Sequence, residues 1–402
     1  MSSKPPRTTR HPAWEVFGVF LRLGLTSFGG PVAHLGYFRN EFVTRRGWLT
    51  ERAYADLVAL CQFLPGPASS QVGMAIGLLR GGYAGAVAAW LGFTLPSALL
   101  LAAFGLGLAQ GADDVPAGVL HGLKLVAVAV VAQAVWGMAR LFCIRAWQRA
   151  LAVVAAAVLL LQPAVGMQLA VLGVAGLLGL WIAQTPVVGQ HDETVYPVKP
   201  RKGIALLLLF LILLLGLPWA AQVWPQAALE LVSVFYRVGA LVFGGGHVVL
   251  PLLQAEVVPR GWVSLDTFMA GYGAAQAVPG PLFTFAAFLG AALPGPLGGV
   301  TGALLALLAI FLPSFLLVVG VLPLWAQLRQ NQRAQAALAG INAAVVGLLL
   351  AALIQPVATS ALTSLADLGV VLLALLALMR WRLPAWAVVL GCGVAGWLLG
   401  ML

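Results

Sequence analysis

Two short stretches carry residue types that can hold an anion in apolar surroundings: Pro65-Gly66-Pro67 with Ser69 and Ser70 behind it, and Pro279-Gly280-Pro281 followed by Thr284. Proline removes an N–H and clashes with the preceding helical turn. Glycine permits positive φ and close backbone approach. A helix restarting after such a break offers free N–H groups and the positive end of its dipole, which is an anion site. The hydroxyls of Ser69, Ser70 and Thr284 can cap that helix or bind an oxyanion. Phe28-Gly29-Gly30 and Phe243-Gly244-Gly245 form a second pair of breaks. Arg22 and Arg237 each stand six residues before the phenylalanine of that second pair. A guanidinium in an apolar stretch is costly and functional by default, and its fork of donors matches a tetrahedral dianion. Gln62 and Gln276 precede the Pro-Gly-Pro breaks and can add amide donors.

The elements around these residues belong in a bilayer. Of 402 residues, 61% are hydrophobic and 8% charged, and the mean hydropathy is +0.99. A soluble domain carries about 25% charged residues, so the composition predicts an all-α polytopic membrane protein. The basic start, before Trp14, has no short apolar region ending in a cleavage site and reads as a cytoplasmic tail. Cys61, Cys143 and Cys392 are scattered, with no disulfide or metal-binding spacing. The net charge of +10 comes from residues between apolar spans, which points to topology and anion attraction and away from nucleic acid. No HExxH, GxSxG or GxxxxGK[ST] motif is present, and Asp56 and Asp367 are isolated near span starts, so the reading is a transporter without cofactor or metal, not an enzyme.

The breaks are duplicated as part of a longer repeat. Arg22, Gly24 and Phe28-Gly29-Gly30 recur as Arg237, Gly239 and Phe243-Gly244-Gly245, and Glu41 recurs as Glu256. One residue is then lost, and Arg46-Gly47-Trp48, Gln62 and the first Pro-Gly-Pro recur as Arg260-Gly261-Trp262, Gln276 and the second. Pro96-Ser97 matches Pro313-Ser314. Ordered recurrence of these types indicates internal duplication. Apolar spans at about 82–110, 117–139, 146–162 and 165–183 match spans at about 298–325, 335–356, 364–380 and 384–401. The expected organisation is a first repeat over 1–183, a polar loop and extra span (about 203–222) within 184–228, and a second repeat over 229–402. One unpaired span inverts the second repeat, an architecture of many secondary transporters.

Charge bias predicts a cytoplasmic N-terminus and an outside C-terminus. Asp113-Asp114 then face outside, and Arg140, Arg145, Arg149, Lys199, Arg201, Lys202, Arg329, Arg333, Arg380 and Arg382 face inside. Arg39–Arg52 holds four arginines and lies outside if 14–37 is a simple crossing, but inside if the chain folds back at Phe28-Gly29-Gly30. The arginines favour hairpins at both kinds of break. Glu41, Arg46, Trp48, Glu256, Arg260 and Trp262 fall at the ends of the broken helices and read as interfacial salt bridges or gates. Lys124, aligned with Asn342, reads as a lysine near a span end that can snorkel. His34 and His247 do not align with each other and read as satisfied polar residues.

These residues resemble the chromate ion transporter family, the two-domain bacterial CHR proteins. The likeness covers nearly the whole chain and rests on Phe28–Pro31 with Phe243–His247, the two Arg-Gly-Trp elements and the paired Pro-Gly-Pro elements. The resemblance implies chromate efflux across the bacterial inner membrane and chromate resistance. The residues alone reach an oxyanion as partner, with the lipid bilayer around the protein and a homodimer compatible. Sulfate or another oxyanion, moved by exchange or through a passive channel, stays open on the residues alone. Pro31 opposite Gly246, and Arg39 opposite Gln254, predict an asymmetric site.

Overall fold

The computed structural model describes residues 12–111, 116–183 and 198–401. The basic start, Asp113-Asp114 and the loop residues 184–197 lie outside the described residues. Those described are helical, with no strand among them. Helix α1 is Pro12–Thr26, α2 Gly30–Arg39 with a π-type continuation to Arg45, α3 Glu51–Phe63, and α4 Ala68–Gly111 with a non-helical kink at Gly81 and Gly82. Then come α5 Ala117–Phe142, α6 Ala146–Leu161, α7 Val165–Ile182 and α8 Pro200–Val223. The second half runs α9 Ala227–Leu241, α10 Val249–Val257, α11 Leu265–Ala275, α12 Phe285–Ala291, α13 Gly299–Val321 and α14 Trp325–Leu328. It ends with α15 Gln332–Ala352, a one-turn α16 Thr359–Ala361, α17 Leu365–Met379 and α18 Ala385–Leu399. The expected apolar spans all fall on helices, and six helical stretches among the described residues are long and apolar enough to cross a membrane. Matched caps start matched helices: the Thr50 hydroxyl accepts from Ala53 N–H at α3, and Ser264 from Thr267 N–H at α11.

The broken segments fold back as hairpins. Phe20 on α1 stacks 5.0 Å from Phe42 and packs 5.5 Å from Phe38, and Arg46 reaches Glu15 at 3.7 Å. α1 and α2 are therefore antiparallel, with their turn at Phe28-Gly29. Helix α3 and the first part of α4 repeat this around Pro65-Gly66-Pro67, because Arg80 returns to Glu15 at 3.3 Å and lies 5.0 Å over Trp48. Residues 12–15, 46–51 and 80–83 thus share one end of the bundle, here the near end. At Gly81-Gly82 the chain reverses, and Gly77 packs so closely on Gly85 that a Cβ on either would strike the other's carbonyl. Residues 83–111 then run the length of the bundle, roughly 40 Å at 1.5 Å per residue.

The second half enters from the other end. Arg237 pairs with Glu256 and Arg260 with Glu230, so α9 and α10 are antiparallel. Helix α12 packs on the late part of α4, where Phe288 stacks 5.5 Å from Phe104. Gly290 against Gly302 repeats the Gly77–Gly85 reversal, and α13 runs back to the near end. There Trp325 and Arg329 each reach Asp56 at 3.0 Å, and Asp367 meets His121 at 2.7 Å on the opposite side of the bundle; neither aspartate is isolated. Partners are exchanged between halves: α5 packs on α17 and α18, and α15 on α6 and α7. Helix α8 lies against α9 and α13 with only 6% of its apolar window buried, the pattern of a lipid-facing helix.

The hairpin tips meet midway and are wired to one another. Gly66 N–H donates to the Val242 carbonyl at 2.7 Å, and Gly280 N–H donates to the Ser27 carbonyl at 3.0 Å. Ser27 and Val242 each precede a Phe-Gly-Gly break. Gly66 has φ +121, and a Cβ there would stand 2.6 Å from Ser314 Oγ. Gly280 has φ +105, and its Cβ would stand 2.8 Å from Ser97 Oγ and 3.2 Å from the Phe93 carbonyl oxygen. Each Pro-Gly-Pro therefore nests on the Pro-Ser step of the other half's long helix.

Two outcomes follow from this geometry. Cysteines at Gly47 and Gly82 should react with a membrane-impermeant thiol reagent from one side, and a cysteine at Gly261 from the other; a simple crossing by 12–37 would put positions 47 and 82 on opposite sides. Gly280→Ala combines a left-handed backbone with overpacking and should cost at least about 2 kcal/mol. Gly261→Ala, with φ +69 but open space, should cost only about 1–2 kcal/mol. Thermal unfolding of the purified variants compares the two, and equal stability of Gly280→Ala and wild type would contradict the nested contact.

Candidate functional site

Two cavities flank the junction of the breaks. One, of about 370 Å³, is lined by Gly29, Gln62, Leu64 and Gly66 of the first half, Gln133, Met138 and Phe142 of α5, and Gly244, Gly245 and His247 of the second. The other, of about 430 Å³, is lined by Phe28, Gly29, Gly30, Tyr37, Gln133, His247, Gln276, Gly280 and Arg382. Gly29, Val130, Gln133 and His247 line both. Each volume lies in the range of small-ligand pockets.

The expected site residues divide into two groups. Phe28, Gly29, Gly30, Gly244, Gly245, Gln62, Gln276, Gly66 and Gly280 line the cavities. Pro65, Pro67, Ser69, Ser70, Pro279, Pro281 and Thr284 line neither. Ser69 Oγ lies 3.3 Å from His34 Nδ1, and the Thr284 hydroxyl donates to its own Pro281 carbonyl at 2.7 Å. Ser70 Oγ and Ser314 Oγ are buried without a partner, behind the turns. The central N–H of each Pro-Gly-Pro is committed to the opposite half. Uncommitted donors remain at both kinds of break: the N–H groups of Gly29, Gly244 and Gly245, and those of Ala68, Ser69 and Ser70 in the first turn of α4, donate to no acceptor among the described residues.

The charged pairs lie at the mouths of the hairpins, away from both cavities. Buried Glu41 accepts from Arg46 at 2.6 Å and Arg45 at 3.1 Å, and Arg46 lies 5.4 Å over Trp48. Buried Glu256 holds both Arg237 and Arg260, and Arg260 lies 5.8 Å over Trp262. Arg22 is exposed on α1 and lines neither cavity. Lys124 pairs with Asp266 at 3.0 Å, joining α5 to α11. Sequence reasoning missed Glu15 and Glu230, which are matched across the halves and reached by Arg46 and Arg260 respectively. It also missed Gln133, the single amide in an apolar helix run, and the placement of His247, whose Nδ1 is 2.9 Å from the Tyr272 hydroxyl.

Comparison with known proteins adds the family. The family model described as Chromate transporter matches residues 14–180 and 229–397, leaving α8 between the matched segments. The chain is 28% identical over 411 residues to the chromate transport protein of Pseudomonas aeruginosa, covering 96% of this chain and 92% of that one. It is 28% identical over 389 residues to the chromate transport protein of Cupriavidus metallidurans, covering 93% and 91%. A probable chromate transport protein of Synechococcus elongatus is 28% identical over 381 residues, covering 93% and 92%. No solved structure matches. The chain belongs to the chromate transporter family.

Proposed function

We propose that this protein is a secondary transporter that exports chromate from the cytoplasm across the bacterial inner membrane by alternating access, and so confers chromate resistance. The carrying observation is the meeting of four backbone breaks, brought from opposite ends of the bundle, around cavities that hold unpaired backbone N–H groups. Such dipoles suit an oxyanion. Gly29, Gly244 and Gly245 supply N–H donors, and Gln62, Gln133 and Gln276 supply amides. The two halves act as inverted repeats rocking about this junction, with the carboxylate–arginine clusters around Glu41 and Glu256 as gates.

Direction follows from charge and cavity shape. The near end gathers Arg39, Arg45, Arg46, Arg52 and Arg80, which makes it cytoplasmic by the positive-inside rule and puts the C-terminus outside. The first central cavity extends from the breaks along α5 to Phe142, toward that end, and the second lies at mid-depth beside the α17–α18 turn. A further cavity of about 690 Å³ lies toward the far end, between Gln162-Pro163 and Gln254-Ala255, and contains none of the break residues. This is the pattern of a cytoplasm-facing state. An inside-negative potential favours dianion exit by about 2.3 kcal/mol per charge per 100 mV.

The test is chromate uptake into inverted membrane vesicles. Wild type should show saturable uptake that excess sulfate inhibits. Gln133→Ala should raise KM about tenfold, as expected for losing one hydrogen bond to a charged group. No chromate uptake by correctly inserted protein would sink the chromate reading, and uptake that never saturates would indicate a passive channel.

A further inference from the structure

We propose that Arg382, on the turn between α17 and α18, is the residue that selects a divalent tetrahedral oxyanion at the second cavity. The proposal rests on the oxyanion reading above and names the charge that site uses. Arg382 is the one Lys, Arg, Asp or Glu lining either central cavity. Across the space stand Phe28, Gly29, Gly30, Gln276 and Gly280, with Gln133 and His247 between the two cavities. No carboxylate lines this cavity.

Two further observations bear on Arg382. Like Arg22, Arg140 and Arg380 it is exposed and forms no ion pair among the described residues, but of these it alone lines a central cavity, whereas Arg46, Arg237, Arg260 and Lys124 are each held by a carboxylate. A guanidinium with no fixed partner keeps its donor fork for a ligand. Its backbone is left-handed at φ +53, the one non-glycine residue with positive φ among the described residues. Glycine takes that conformation without strain, so the arginine is retained against a backbone penalty. Strain of this kind clusters at ligand sites.

The hairpin that carries it is also short. Helices α17 and α18 have 15 residues each, about 22 Å at 1.5 Å per residue, against a hydrocarbon core of about 30 Å. The C-terminal part of α18 packs at the start of α5, Gly396 against Gly118 and Cys392 against Gly122. The turn therefore stops beside Val130 and Gln133 in the middle of α5, inside the bundle's length. The equivalent turn of the first half, Gln162-Pro163, is neutral. Only one half supplies a cation, which makes the substrate site asymmetric. Arg380, two residues earlier, lines neither cavity and serves as the control.

The experiment measures binding of chromate, sulfate and nitrate to the purified full-length protein, and chromate transport in proteoliposomes, for wild type, Arg382→Gly, Arg382→Lys and Arg380→Ala. Arg382→Gly keeps the left-handed turn and removes only the side chain, so folding is preserved. The expected result is at least about a tenfold weaker affinity for chromate and sulfate in Arg382→Gly, little change for nitrate, partial recovery in Arg382→Lys and wild-type behaviour in Arg380→Ala. Arg382→Gly that binds the dianions like wild type, or loses dianion and nitrate affinity equally, overturns the inference alone. A wild type that binds neither chromate nor sulfate overturns the oxyanion reading and this inference with it.

Discussion

Two exchanged hydrogen bonds hold the centre of this molecule. Gly66 N–H reaches the Val242 carbonyl and Gly280 N–H reaches the Ser27 carbonyl, each across the boundary between halves. An unsatisfied peptide group in hydrocarbon costs several kcal/mol, so a broken helix persists in a membrane only where protein supplies the missing partner. Here each half repairs the break of the other. The consequence reaches outward: neither pair of hairpins has a satisfied tip by itself, and each Pro-Gly-Pro tip nests against the long helix of the other half, at Ser97 or Ser314. The two bonds also decide which donors are left. With Gly66 and Gly280 committed, the N–H groups that line the cavities without an acceptor include those of Gly29, Gly244 and Gly245.

Much of this was legible in the sequence for a physical reason. Proline, glycine, arginine and tryptophan fix backbone conformation or charge position, so their ordered recurrence survives in halves whose apolar residues have drifted. The four arginines of 39–52 were enough to favour hairpins over crossings, because a crossing would have placed them on the wrong side. What stayed hidden was pairing over long separations. Nothing local shows that residue 280 donates to residue 27, or that Ser69 and Thr284 turn away from the cavities. Arg22 and Arg237 looked equivalent in the alignment. The structure places one exposed on α1 and the other against Glu256, a difference set by neighbouring helices.

The carboxylate clusters show the two halves sharing one plan and differing within it. Glu41 and Glu256 are both buried and both held by two arginines, but the arginines are Arg45 and Arg46 in one half and Arg237 and Arg260 in the other. A buried carboxylate needs such compensation, since removing one partner leaves a desolvated charge. At the tips, Pro31 of one half packs on Gly246 of the other, so the one position where the breaks differ is also where they touch.

A carrier for a dianion must bind without trapping. Several fixed arginines around a doubly charged anion in a low-dielectric cavity would create a well too deep for release, because Coulomb energy grows as the dielectric falls. Neutral N–H and amide donors distribute the stabilisation and cost no charge burial when the site is empty. The architecture follows that logic: most of the arginines near the breaks are sequestered by Glu41 and Glu256 at the hairpin mouths, and the cavities are walled by glycine backbone, three glutamines and a single cation at the α17–α18 turn. Two charges moving through about 100 mV gain roughly 4.6 kcal/mol, twice the value for one charge, which is comparable to the energy of a few such neutral hydrogen bonds. In the export cycle proposed above, a site of this strength would capture the anion at the near end and still let the membrane potential favour its release at the far end.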